Sequence, residues 1–169
     1  MDPSINPALA EARFCPRCGR SAEVDFPRRI VCPHCGYAAY YNPKPVAAAI
    51  PIDEQGRVIL LRRGFDPGRS LWTFPGGFVD LGESVPDAAR RETDEELEMA
   101  VELETLVGVY SRPEDRVVLI VYRARAIGRP HTSPEAPEVH AFAPAEIPWD
   151  ELAFWSTDQA LRDVLAQAG

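Results

Sequence analysis

The chain has 169 residues, 46% of them apolar, enough to bury the core of one ordinary domain with a small appendage. Its net charge of −8 repels a polyphosphate backbone, and its dense basic spots, Arg28-Arg29, Arg62-Arg63 and Arg90-Arg91, form no run, so a nucleic-acid partner is not expected. Apolar stretches such as VVLIV at 117–121 are far too short to span a bilayer, and the opening MDPSINPALAEAR lacks a basic leader followed by an apolar run; a cytoplasmic protein with reduced cysteines is expected.

Residues 1–12 read as a tail. All four cysteines follow, in CPRCG (Cys15, Cys18) and CPHCG (Cys32, Cys35). Two C-x-x-C pairs suit a Zn²⁺ held by four thiolates, and a site filled by four protein ligands is closed and structural. The alternative is two disulfides or redox thiols. Gly19 and Gly36 follow the second cysteine of each pair, where the chain turns tightly. EVDF and RIVC supply a short hairpin between the knuckles. His34 would be a fifth ligand for a four-place site and is expected to be exposed. The zinc ribbon so defined covers 13–40.

YNPKP (41–45) is the linker, because two prolines break regular structure. VAAAIPI (46–52), the DEQG turn and RVILLRR (57–63) read as two strands and their connection. GFDPGRS (64–70) is a loop. LWTFPGGFV (71–79) mixes strand formers with a Pro-Gly-Gly break. A helix is predicted over 84–98, with Ser84 as N-cap and Pro86 in the first turn. Strands at 101–112 and 116–127 flank a turn at Pro113-Glu114-Asp115. GRPHTSPEAP (128–137) is a loop, EVHAFA a strand, and STDQALRDVLAQAG a helix capped by Ser156 or Thr157.

The predicted helix carries the chemistry. Glu92, Glu95 and Glu96 share one face, while Ala89, Thr93 and Leu97 form a separate stripe towards the core. Like charges at this spacing destabilise a helix. One reading is a solvated acidic face. The other is a site for a hard divalent cation, in which carboxylates and a backbone carbonyl of the preceding Gly-Gly turn converge. Arg90 and Arg91 interrupt the acidic run and can orient carboxylates by bidentate pairing.

Gly77, five residues, Glu83, seven residues, and then Arg91-Glu92-Thr93-Asp94-Glu95-Glu96 resemble the signature box of the Nudix hydrolases. Glu98 departs from it, standing where that family usually has glycine, and Thr93 holds a position that is often larger and apolar. The resemblance implies an α/β fold: an α/β/α sandwich around a mixed sheet, here over 41–169. It implies hydrolysis of a nucleoside diphosphate linked to another group, with Mg²⁺ or Mn²⁺, giving two monophosphates. By position, Glu92, Glu95 and Glu96 would bind metal with the Gly76 carbonyl, Glu83 would be an auxiliary metal-site carboxylate, and Arg91 would fix the rotamer of a neighbouring glutamate. The family's general base is often a distant loop glutamate; Glu138 and Glu135 are the candidates, and both can equally be loop-solvating residues. Histidine is the side chain suited to proton transfer near neutral pH, but His131 and His140 read as surface or packing residues.

A ribbon ahead of such a domain resembles the NADH pyrophosphatase group, but the further motif of that group, of the SQPWPFP type, is replaced by GVYSRPEDRVVLIVY. The arrangement looks more like short ribbon-bearing members related to FAD and ADP-ribose pyrophosphatases. The expectation is a small nucleotide substrate of that kind, with NADH pyrophosphatase or removal of an NAD cap from RNA as alternatives, and a possible homodimer. A nucleotide-sensing regulator that binds nucleic acid through the ribbon is the alternative of another class; the intact carboxylates and acidic charge stand against it. Tyr110, Phe74, Trp72 and Trp155 are aromatics for a base or for the core.

Overall fold

The computed structural model describes residues 2–167. Two units are resolved, one running to Lys44 and including Arg112–Val117, the other comprising Pro45–Ser111 and the chain from Val118 onward.

In the smaller unit, the stretch read as a tail carries a 3-10 turn, Pro3–Ile5, and a single helical turn, α1 (Pro7–Ala10), whose Leu9 is fully buried. Asn6 caps that turn and donates to the Pro27 carbonyl. The expected hairpin forms from β1 (Glu23–Asp25) and β2 (Arg29–Val31), and β3 (Ala38–Tyr40) adds a third antiparallel strand that AAY, with no alternation of apolar and polar residues, did not signal.

The larger unit is built on a sheet ordered β10-β5-β4-β9-β8, with β6 beside β5 and β7 beside β4. These strands are β4 (Lys44–Ile52), β5 (Val58–Arg62), β6 (Trp72–Thr73), β7 (Gly76–Phe78), β8 (Ala100–Tyr110), β9 (Val117–Ile127) and β10 (Glu138–Phe142). Side chains alternate across the sheet, so each strand feeds two cores. Ala48, Ile50, Val58 and Leu60 pack with Ala160, Leu161 and Val164 of α3 (Trp155–Ala166) on one face. Ala49, Ile59 and Leu61 join Leu97, Met99 and Ala124 on the other, where Ala47 meets Ala88 and Ala89 of α2 (Val85–Leu97). This is the expected α/β/α sandwich. Among the described residues, no helix is long and apolar enough to cross a membrane.

Helix α2 follows its sequence signals. Ser84 accepts from the Asp87 N–H at 3.3 Å and Pro86 lies in the first turn. Ala89, Thr93 and Leu97 are all fully buried. The Thr93 hydroxyl, which replaces a larger apolar group, is satisfied by the Ala89 carbonyl at 2.7 Å. Helix α3 departs from expectation. It begins at Trp155 with Phe154 at the cap and no side-chain cap bond, so neither Ser156 nor Thr157 caps it. Thr157 is instead buried against the Thr73 hydroxyl, 3.2 Å away, a tertiary contact that outweighs its capping preference.

Glu98 ends α2 in the left-handed region, at φ 47° and ψ 39°. That conformation strains an L side chain, and a negative charge at a helix C-terminus faces the unfavourable end of the helix dipole. Glu98→Gly relieves both, against the larger entropy glycine loses on folding. The variant is expected to gain about 1 kcal/mol, a rise of roughly 2–4 °C in Tm by calorimetry. A lower Tm would show that Glu98 makes a stabilising contact that outweighs the strain.

Candidate metal centre and carboxylate site

The two cysteine knuckles are built alike. The Cys15 N–H donates to the Arg20 carbonyl at 2.7 Å and the Cys32 N–H to the Tyr37 carbonyl at 2.8 Å. Gly19 and Gly36 close the turns at φ 71° and 69°, a region where a Cβ is strained. All four Sγ atoms lie within 4.8 Å of one another, with Cys15–Cys35 at 3.7 Å and Cys18–Cys32 at 3.6 Å. A tetrahedral Zn–S distance of about 2.3 Å requires S···S edges of about 3.8 Å, so the donor set fits a tetrathiolate ion. The cysteines are free thiols, which sets aside the disulfide alternative. Burial opposes the Cys32 thiolate, but the N–H groups of Cys35 and His34 outweigh it and lower the pKa to about 6. His34 is exposed, as expected. Among the described residues these thiols form the one group of three or more ligand atoms drawn that close together.

The second site lies on α2 and depends on a close approach to the sheet. Ala47, Ala88 and Ala89 meet with no side chain longer than a methyl, so the helix lies near β4 and β7. Gly76 and Gly77 continue that seat, paired with Ala48 and Ala47 across the ladder. A Cβ on Gly76 would stand 2.5 Å from the Ala48 Cβ, and one on Gly77 would stand 2.3 Å from the Glu92 carboxyl carbon. The Glu92 carboxylate therefore occupies the space where a side chain at 77 would lie. Glu96, 7% exposed, reaches the same seat and accepts the Gly76 N–H at 2.8 Å.

Arg91 organises the remaining charge. Its Nε and a terminal nitrogen hold both oxygens of Glu83 at 2.9 and 3.0 Å. It also donates to Glu92 at 2.8 Å, to Glu95 at 3.1 Å and to the Phe78 carbonyl at 3.0 Å. Sequence reasoning expected one glutamate partner; the structure gives three. This pairing draws Glu83 below the usual carboxylate range and holds Arg91 firmly protonated. Glu95 is the outermost of the cluster, with 58% of its side chain exposed. The recorded bonds use one oxygen each of Glu92, Glu95 and Glu96, so among the described residues the second oxygen of each has no protein partner. Burial raises the pKa of Glu92, against the pull of Arg91 and with Glu95 and Glu135 adding to it. Burial, then Glu92 and Glu135, push Glu96 up to about 7, against the Gly76 N–H and Arg63.

The two base candidates part company. Glu138 on β10 stands opposite Arg62 in register and lies 3.0 Å from its Nε, an ion pair misaligned for a hydrogen bond. Glu135 is exposed, and its charge acts on both Glu92 and Glu96. Its loop is fastened to both neighbours: the Glu135 carbonyl accepts the Gly64 N–H at 2.8 Å, and Ser133 donates to the Glu96 carbonyl at 3.1 Å. His131 and His140 are exposed, His140 resting on the Phe142 ring. Trp72, Phe74 and Tyr110 are core residues, the Tyr110 hydroxyl donating to Asp163 at 2.8 Å. Trp155 packs half-buried against that core. Sequence reasoning missed Arg63, a cation whose charge acts on Glu96 and Glu135; its signal was only an Arg-Arg pair at a strand end.

A carboxyl whose folded pKa lies above its unfolded value stabilises the fold in its protonated form. The Glu96 contribution is thus present below its ordinary value of 4.5 and is lost as pH rises through about 7. Without added divalent cations, stability is expected to fall over that window by up to about 3 kcal/mol, and Glu96→Gln to flatten the profile. Thermal melts from pH 4.5 to 8 check it; an unchanged slope in the variant would assign the effect elsewhere.

The profile of the NUDIX domain matches residues 42–168. An ADP-ribose pyrophosphatase from Methanocaldococcus jannaschii is 33% identical over 96 residues, 54% of this chain and 56% of that protein. A NAD-capped RNA hydrolase NudC from Haemophilus influenzae is 32% identical over 101 residues, 57% of this chain and 38% of that protein, so the chain spans about half or less of these curated relatives. The crystal structure of a Nudix hydrolase from Nitrosomonas europaea superposes with a TM-score of 0.84 at 33% identity, covering 94% of each chain. With the box residues gathered on α2 and its glycine seat, and with that profile spanning the larger unit, the chain belongs to the Nudix hydrolase family.

Proposed function

We propose that the protein is a divalent-metal-dependent pyrophosphatase that cleaves FAD, ADP-ribose or a similar nucleoside diphosphate derivative into two monophosphates. The observation that carries this reading is the pair of carboxylates at the glycine seat, Glu96 buried and Glu92 half-buried, each with one oxygen that has no protein partner among the described residues. Two like charges held in low dielectric call for a cation, and the guanidinium of Arg91 reaches only one of them. Glu92, Glu95 and Glu96, with the Gly76 carbonyl, would hold Mg²⁺ or Mn²⁺, and Glu83 serves the site by anchoring Arg91 through both its oxygens. Bound cations supply positive charge to the phosphoryl oxygens and make water more acidic. Glu135 is the better-placed base: it takes the proton of the attacking water as the P–O–P bridge opens and the leaving phosphate departs. Glu138 is occupied by Arg62 on its strand. The ribbon at 13–40 is a structural Zn²⁺ module joined to the hydrolase domain at 41–169, and the protein works in the cytoplasm, as a monomer or homodimer.

The similarity to an ADP-ribose pyrophosphatase supports the substrate class, and the similarity to NudC keeps NADH or an NAD cap on RNA as the second reading. Phosphate released after coupled phosphatase treatment, compared across FAD, ADP-ribose and NADH with Mg²⁺, separates them. Glu95→Gln and Glu96→Gln are each expected to lower turnover at least about a hundredfold with the fold retained. Turnover unchanged in both would remove the carboxylates from the chemistry.

Elemental analysis of the purified chain is expected to find one zinc per molecule. Its removal by a chelator should lower the melting temperature, because metal affinity is folding free energy in so small a unit. Purified protein lacking zinc would overturn the structural role.

A further inference from the structure

The loop between β5 and β6 is held far more firmly than a surface connection requires. Three arginines each bind one of its carbonyls: Arg62 donates to Ser70 at 3.0 Å, Arg63 through Nε to Pro67 at 2.7 Å, and Arg69 to Gly64 at 2.9 Å. Ser70 sits at φ 66°, a left-handed strain that this clamp sustains. Gly64 lets the loop dock on the 133–135 segment, because a Cβ there would stand 2.7 Å from the Pro134 carbonyl oxygen. That segment is the one whose Ser133 binds the Glu96 carbonyl, so the loop is fixed to the wall of the carboxylate site.

The clamp presents two groups. The Arg63 guanidinium lies 4.9 Å from the Phe65 ring centroid and 5.2 Å from that of Phe154, within cation–π range of both. Its recorded hydrogen bonds use Nε alone, so among the described residues its terminal N–H groups have no protein acceptor. Glu96, Glu135 and Asp66 act on it by charge without pairing at salt-bridge distance. Phe65 is 43% exposed, whereas three of the four aromatics singled out in the sequence are buried in the core. A pre-oriented guanidinium beside an exposed ring is the donor-and-platform pair that a nucleotide needs, the fork for phosphate oxygens and the ring for a base.

We infer that Arg63 and Phe65 form the nucleotide subsite of this protein, Arg63 taking a non-bridging phosphate oxygen and Phe65 stacking on the base. The inference rests on the pyrophosphatase reading for its substrate class, but its test needs no turnover. AMP carries a base and a phosphate but no P–O–P bridge, and ribose 5-phosphate lacks the base; both are titrated calorimetrically into the full chain with Mg²⁺. AMP is expected to bind about tenfold or more tighter than ribose 5-phosphate, and Phe65→Ala to erase that difference. Phe65→Tyr, which keeps the ring, should retain it. Arg63→Ala is expected to weaken both ligands about tenfold or more, with Arg63→Lys recovering part of the loss, since the charge returns without the fork. Melting temperatures check that each variant folds, and Phe65→Leu replaces Phe65→Ala if that variant does not. Equal affinity of the wild-type chain for the two ligands, no AMP binding, or an AMP preference unaltered in Phe65→Ala or Phe65→Leu would overturn the subsite. Failure of hydrolysis with this pattern intact would overturn the pyrophosphatase reading alone.

Discussion

The carboxylate site depends on how closely α2 can lie on the sheet. Backbone without side chains at Gly76 and Gly77, and methyl groups at Ala47, Ala88 and Ala89, set that distance. The Glu92 carboxylate fills the volume that a side chain at 77 would need, and Glu96 borrows the Gly76 N–H. Any larger residue in this seat would push the helix and its acids outward together. Once the acids are seated, their desolvation follows, and with it the raised pKa of Glu96.

The protein itself neutralises the cluster only in part. Arg91 ties Glu83, Glu92 and Glu95 into one network, which, among the described residues, leaves one oxygen of Glu92 and of Glu95 without a protein partner. Glu96 lies outside that network and keeps its excess of negative potential. The cluster is thus only partly compensated by the protein's own cations. Arg63, whose charge acts on Glu96 and Glu135, adds a cation that no carboxylate among the described residues contacts at salt-bridge distance.

The two units show different ways of stabilising a site. The thiolate site is small, local in sequence and held by two near-identical turns, so its geometry needs little beyond residues 15–37. The carboxylate site draws on β4, β7, α2 and the 133–135 segment, and its strength comes from the two-sided core beneath it.

Much of this was legible in the chain because the controlling spacings are short. Two C-x-x-C pairs, the 89–93–97 stripe and the run from Gly77 to Glu96 each encode contacts that a turn, a helix or a turn followed by a helix creates by itself. The sequence by itself therefore determined the family, the α2 face that bears the acids and the four-thiol cluster. The tertiary structure alone decided that Arg91 serves three glutamates, that Glu135 rather than Glu138 shares the field of Glu92 and Glu96, that Thr157 pairs with Thr73 instead of capping α3, and that Trp72, Phe74 and Tyr110 are buried while Phe65 stays exposed beside Arg63. Each of these outcomes turns on packing or electrostatics in three dimensions, between residues up to 84 positions apart in the case of Thr73 and Thr157. No local periodicity records such meetings, because they exist only after the strands have been ordered into a sheet.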